Sequence, residues 1–273
     1  MYHRKTLIAA AIAVALSGTA AFAQQPGAQP QGAPPQGQQQ RPPGQGGGQG
    51  GPRALTLPYN FADTTGFVRI FDGTLRNWDG DPTFWRADSM MIIGESTPEH
   101  RVTLNNFIIW RGGILRDFEL KVEARLTGTN SGIQIRSRQL PDSVGKWVLA
   151  GYQADMDAAN TYPGNLHEER GNRAFISPRG GMARDTGSGP SLTLASLGSP
   201  VEMKGLWNND GWNQYHIIAR GNLIMVMLNG RVTSIFIDED TALRAMEGLL
   251  GFQMHVGPPF KVQYRNIFLR QLN

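Results

Sequence analysis

Nine consecutive residues, Phe118 to Leu126, alternate between apolar and polar side chains, with Phe118, Leu120, Val122, Ala124 and Leu126 as the apolar members. A period of two marks an extended strand with one face buried and the other polar. The pattern recurs. Gly132 to Arg136 sets Gln134 and Arg136 on the polar side. Gly151 to Asp157 sets Tyr152, Ala154 and Met156 against Gln153, Asp155 and Asp157. Trp212 to Arg220, Leu223 to Leu228 and Arg231 to Ile237 are joined by Gly221-Asn222 and Asn229-Gly230. Such two-residue joints readily supply the positive φ of a tight hairpin. Gly251 to Val256 and Lys261 to Leu269 read as two closing strands. The one helical candidate is Glu239 to Met246, a short connecting helix after Asp238. The Gly- and Ser-rich stretch Gly180 to Val201 reads as a long surface loop. Many short strands, frequent turns and little helix predict an all-β sandwich or jelly roll over residues 54–273, taken as one domain. One outer face of such a sandwich can curve, stay polar and receive a ligand.

The segment before this body is of another kind. His3-Arg4-Lys5, an apolar run from Leu7 to Leu16 and Ala21-Phe22-Ala23 have the layout of a secretory leader (residues 1–23), with cleavage expected after Ala23. The apolar run is too short to span a bilayer. An uncleaved anchor is the alternative. The expected mature protein is periplasmic or secreted, with no membrane span. Of the 30 residues from Gln24 to Arg53, 26 are Gln, Gly or Pro, so the segment has nothing to bury and is expected to be a disordered linker. A tether or adhesion role is the functional alternative.

Charge and cysteine content narrow the chemistry. The chain has 26 basic and 22 acidic residues, but Arg4, Lys5, Arg41 and Arg53 precede the body and no acid does. Removing those four leaves 22 of each sign, so the body is neutral and offers no basic surface for nucleic acid. The absence of cysteine excludes disulfides, thiolate metal sites and a Cys nucleophile. No nucleotide-phosphate loop or nucleophile elbow is present. His167-Glu168-Glu169-Arg170 lacks the second His of a zinc helix and reads alone as a polar loop. More informative are Glu123, Arg136, Gln153, Asp155, Gln253 and His255, which all take the non-core parity of their runs. If their strands are neighbours, they form one surface with two carboxylates, an imidazole and a cation, enough for general acid–base chemistry on a sugar. The plainer alternative is that each decorates a solvated sheet face. The six tryptophans are a further hint of carbohydrate stacking, though Trp78 and Trp85 read as core.

The order of motifs resembles a known family. Gly66 to Gly73 with Trp78 is similar to the opening "GF..LFNG..L..W" of the 3-keto-disaccharide hydrolase domain family. Asp117 to Leu120 with Glu123 resembles its "DFEL..E" strand, and Asn130 to Ile133 with Arg136 its "NSGI..R" motif. Gly151 to Asp155 is similar to its "GYQAD" variant, with Asp155 where the commoner form has Gln. Trp212-Asn213, Leu228-Asn229-Gly230, Gly251 to His255 and Arg265-Asn266-Ile267 resemble its closing half. The resemblance implies a concanavalin A-like jelly roll and an exported enzyme acting on sugars already oxidised at C3. A C3 ketone acidifies the C2 proton. Its removal lets the glycosidic oxygen leave C1, and water can then add to the keto-glycal. On this resemblance Asp155 or His255 is the expected base and Glu123 its partner or acid. Arg136 is placed on the oxyanion. Gln153, Gln253, Trp212, Glu168 and Arg170 are expected to hold the sugar. A divalent metal is a further expectation, with His255, Glu123 and Asp155 as ligands. A non-catalytic carbohydrate-binding or adhesion module on the same sandwich is the alternative.

Overall fold

Each alternating run forms a strand in the computed structural model, which describes residues 59–272. The expected leader and the Gln/Gly/Pro linker lie outside the described residues. Short strands β1 (Val68–Arg69), β2 (Trp78–Asp79), β3 (Trp85–Asp88), β4 (Met91–Glu95) and β5 (Asn106–Trp110) come first. The long strands β6 (Phe118–Thr127), β7 (Asn130–Gln139) and β8 (Leu149–Asp157) follow. Next are β9 (Leu166–Glu169), β10 (Phe175–Ser177), β11 (Gly181–Asp185), β12 (Leu192–Ser196) and the helix α1 (Pro200–Lys204). The chain ends with β13 (Asn213–Arg220), β14 (Leu223–Leu228), β15 (Arg231–Asp238), β16 (Leu249–Met254) and β17 (Lys261–Gln271).

These strands make two packed sheets. One has the order β12-β11-β15-β14-β13-β6-β17-β4-β3, with β1 paired to β17; the other has the order β10-β9-β8-β7-β16-β5-β2. The inner faces are the apolar parities read from the sequence. Leu120, Val122, Ala124, Tyr215, Ile217, Phe236 and Tyr264 of the larger sheet meet Ile133, Ile135, Tyr152, Ala154, Met156 and Phe252 of the smaller. The Phe252 and Tyr264 rings stack at 3.9 Å between centroids. Burying each Val, Leu, Ile, Phe or Met of this layer contributes about 1.5–3 kcal/mol, which makes it the main source of stability. Two hydroxyls tie the sheets together: Tyr215 Oη donates to the Asp155 carbonyl at 2.9 Å, and Tyr264 Oη lies 2.8 Å from Ser131 Oγ. The fold is a jelly-roll β-sandwich of the concanavalin-like kind.

Two expectations are corrected. Residues 239–246 form turns rather than a helix. The Asp238 and Asp240 carboxylates cap the amides of Asp240, Ala242 and Leu243, and Arg244 N closes one turn on the Asp240 carbonyl, but Ala245 N donates instead to Tyr152 Oη, so the turn is not continued. The expected loop at 180–201 instead carries β11, β12 and the start of α1. Strand β11 pairs parallel to β15, a partner some fifty residues away that its own composition does not reveal. Helix α1 begins with Ser199 and Glu202 in a reciprocal capping box and Pro200 at its first turn, a start signal present in the sequence.

Candidate active site

Leu166 enters the core from β9, so strand alternation turns His167 and Glu169 to the outer face of the seven-stranded sheet. Gln153 and Asp155 of β8, Gln134 of β7 and Gln253 of β16 share that face. The register sets Gln153 between Gln134 and His167, and Gly132 opposite Asp155. Gly132 is required by close approach. A Cβ there would lie 2.3 Å from Gln153 Cδ, so Gln153 rests on bare backbone. From that seat Gln153 Nε2 donates to Asp155 Oδ1 at 2.8 Å. Strands β9 and β16 stand three strand spacings apart, about 14 Å in a flat sheet. Even so, Gln253 Nε2 donates to Glu169 Oε2 at 3.2 Å, and Asn105 Nδ2 to Oε1 at 3.1 Å. The face is therefore deeply concave, and Glu169 bridges it.

A cleft of about 200 Å³ opens here, lined by Asn130, Gln153, Asp155, Tyr162, His167, Glu169, Phe175 and His255. Its aromatic wall is the stacked pair Tyr162 and Phe175, 4.9 Å apart, both partly open to solvent, with the His167 ring 5.0 Å from Phe175. At its floor Asp155 is only 4% exposed. Burial pushes its carboxyl up to about 7, aided by the charges of Glu169 and Asp157 and opposed by the Gln153 bond. Burial also lowers the His167 imidazole, so it is neutral at pH 7, although Glu169 and Glu168 act the other way. Gln253 Oε1 and His167 Nδ1 are buried without a hydrogen-bond partner among the described residues. Buried polar atoms are normally paired, so His167 Nδ1, on a residue that lines the cleft, is available to a ligand.

A larger hollow of about 570 Å³ adjoins the cleft, and Glu169 lines both. It contains Arg136, Arg138, Glu168 and Arg170, with aliphatic walls from Ile114, Leu243 and Leu249. The concave face thus brings together Asp155, Gln153, Gln253 and His255 from the expected set, with Glu168 and Arg170 at the adjoining hollow.

Two expected residues are placed elsewhere, and Arg136, though it lines the hollow, is turned to another use. Glu123 and Trp212 belong to the outer surface of the other sheet. Glu123 accepts from Arg265 Nε and Asn266 Nδ2, both at 2.8 Å, and from Gln214 Nε2 at 3.3 Å. Burial alone would raise its carboxyl, but these bonds outweigh it and hold it below the usual carboxylate range. The Arg265 guanidinium covers the Trp212 ring at 3.9 Å. Arg136 sits in a bulge of β7 with φ of 44°, where the register shifts between Ile135 and Arg138. Its guanidinium is spent on the Arg116 and Gly221 carbonyls, both at 2.7 Å, and on Asp117 at 2.9 Å. It braces loops and has no donor aimed at Asp155. Glu168 is likewise held by Arg173, which also pairs with Asp185 and Asp238.

The expected metal ligands Asp155, His255 and Glu123 are divided between the two sheets. Among the described residues no three His, Asp or Glu side chains come together as metal ligands. The residues present do not fit the expected ion, and no step is derived through one. The residues missed from sequence are Glu169, His167, Tyr162 and Phe175. Alternation within Leu166-His167-Glu168-Glu169 was the available signal for the first two.

No curated protein matches the chain. Its fold is similar to that of a Parabacteroides distasonis protein described as a candidate glycosyl hydrolase. The two are 15% identical, over 77% of this chain and 95% of that one, with a TM-score of 0.50. A second protein of that description and organism is 17% identical, covering 76% and 99% of the two chains, with a TM-score of 0.49. The carbohydrate binding module CBM66 from Bacillus subtilis is 15% identical, covering 73% and 98%, with a TM-score of 0.46. No described helix is long and apolar enough to cross a membrane. The model of the 3-keto-alpha-glucoside-1,2-lyase-like domain matches residues 66–270, three quarters of the sequence and all but the last residue of the two sheets, and the chain belongs to that carbohydrate-related family.

Proposed function

We propose that the protein cleaves 3-keto-glucosides by elimination and hydration in the cleft around Asp155. The observation that carries this reading is a buried carboxyl pushed up to about 7 on the floor of a polar cleft with an aromatic wall. A base of that strength is half ionised at neutral pH and suited to proton transfer at carbon beside a ketone. Tyr162 and Phe175 offer their faces to the C–H side of a pyranose, and Gln153 and Asn130 offer amides to its hydroxyls.

Asp155 takes the C2 proton, and the C2–H electron pair moves into the enolate of the C3 ketone. His167 is the cleft's imidazole for that oxyanion; its Nδ1 is unpartnered among the described residues, and a neutral imidazole still carries one N–H. The enolate pair re-forms the ketone with a C1–C2 double bond, the C1–O bond breaks, and its electrons go to the leaving oxygen. Asp155, now carrying the C2 proton, passes it to that oxygen. Water then adds its hydroxyl at C1 as Asp155 takes its proton, and Asp155 returns that proton to C2. The leader-like residues 1–23 support an exported protein acting on sugars oxidised elsewhere.

Incubating the protein with methyl 3-keto-glucoside and following release of 3-keto-glucose by NMR tests the reading. Turnover in the wild type and its loss in Asp155→Asn, with the fold kept, supports it. The aromatic wall and amide-rich floor would equally suit a binding module. Saturable binding of the 3-keto-glucoside without any product decides for that second reading.

A further inference from the structure

The larger hollow shares Glu169 with the cleft and differs from it in chemistry. Its open wall is aliphatic: Ile114 is 55% exposed and Leu243 45%, and Leu249 and Ala150 also line it. Exposed aliphatic side chains are unremarkable singly, but here they converge on one concavity. No ring faces them, because Tyr152 is buried and its hydroxyl is engaged by Asp238 and Ala245 N. A second sugar would want free acceptors and a stacking platform. The acids here are already taken, Glu168 by Arg173 and Glu247 by Arg116. The cation Arg138, by contrast, makes no ion pair or side-chain hydrogen bond among the described residues. Arg170, held with φ of 52°, stands at the Glu169 boundary with its Nε 3.9 Å from that carboxylate. At about 570 Å³ the hollow is also of the size that takes a ligand larger than a single ring.

Resting on the reading of the cleft given above, we propose that this hollow is the leaving-group subsite and that it selects an aromatic aglycone bearing a carboxylate. The ring lies against Leu243, Leu249 and Ile114, the carboxylate meets Arg138, and the glycosidic oxygen falls beside Glu169.

The test compares methyl, benzyl and 4-carboxybenzyl 3-keto-glucosides. Their alcohols leave about equally poorly, so differences report the subsite rather than leaving-group strength. The expected kcat/KM gain from methyl to benzyl is about tenfold or more, the usual worth of a filled apolar pocket. The carboxylate adds about two- to fivefold, as for an exposed ion pair. Leu243→Asp shrinks the benzyl preference, and Arg138→Gln removes the carboxylate's share. Calorimetry with free 4-(hydroxymethyl)benzoate gives a readout without turnover; it should bind the wild type and bind Arg138→Gln more weakly. Equal kcat/KM across the series with no binding of the free alcohol overturns the subsite while leaving the cleft's chemistry standing. Arg138-dependent binding of the alcohol by a protein that turns over none of the glycosides keeps the subsite and overturns the cleft's chemistry. Neither turnover nor binding overturns both.

Discussion

The outer faces of the two sheets are both built from polar residues alternating with core side chains, yet they are chemically opposite. On the larger sheet the charges at the centre of β6 are matched. Glu119 pairs with His216 and Arg270, Glu123 with Arg265, and Lys121 Nζ donates to the carbonyls of Asn60, Phe61 and Asp63. On the smaller sheet amides replace cations. Asp155 receives one bond from Gln153, and its nearest charges are the like-signed Glu169 and Asp157. Matched charges are an end state that stabilises the fold. A buried carboxyl with like-charged neighbours is poised to exchange a proton, at some expense of stability.

Asp155→Asn is the strongest way to break this comparison. It should lower kcat by about 10²–10⁴-fold, whereas Glu123→Gln should leave turnover of methyl 3-keto-glucoside near that of the wild type. Equal losses in the two variants would erase the distinction between the faces. A related expectation concerns pH. As the base, Asp155 must be ionised, so kcat/KM should rise with pH through about 7 and level off above it; a profile flat from pH 5 to 9 would remove Asp155 from the role.

The same substitutions should have opposite effects on stability. An unfolded Asp titrates near 3.8 and folded Asp155 near 7. Between those values the unfolded chain has released a proton that the folded chain keeps. The contribution of Asp155 to stability therefore falls as pH climbs from about 4 to 7 and stays reduced above. Asp155→Asn should match the wild type near pH 3.5 and exceed it at pH 8, by on the order of a few kcal/mol. Glu123 is held below its unfolded value of 4.5, so its contribution is present above that pH and lost as pH falls through the lower folded value. Glu123→Gln should cost about 1 kcal/mol at pH 7 and nothing in strong acid. Thermal melts of both variants at pH 3.5 and pH 8 check the two signs.

The smallest effect concerns the rim. Phe175→Ala removes one half-exposed ring and should weaken binding of a 3-keto-glucoside by about two- to tenfold, leaving the melting temperature within a degree or two of the wild type. Binding unchanged in this variant and in Tyr162→Ala would take the aromatic wall out of the site.

The contrast between the faces also explains what could be read from residues alone. Alternation assigned the inward and outward parity of Phe118 to Leu126 and of Gly151 to Asp157 as the sheets have it. It carries no information on which sheet a strand joins. Strand β6 lies between β13 and β17, about ninety and one hundred and forty residues further along, so Glu123 and Asp155 share a parity and occupy opposite sides of the molecule. Arg136 escaped for another reason: a single extra residue in β7 ends the alternation at that point. Glu169 was hidden by brevity, since β9 spans four residues and reads as a polar loop. Tyr162, in the connection before β9, and Phe175, the first residue of the three-residue strand β10, flank β9 at positions that depend on the whole sheet.

Gly132 has a consequence for how this protein can diversify. Any side chain added there would be driven into Gln153, and through it into the hydrogen bond that seats Asp155. The sheet floor is thus a rigid bench on which new preferences have little room to be carved. Adaptation to other sugars is channelled outward to the connections carrying Tyr162 and Arg170 and to the start of the short edge strand at Phe175, where changes alter the walls of the cleft while the bench stays put.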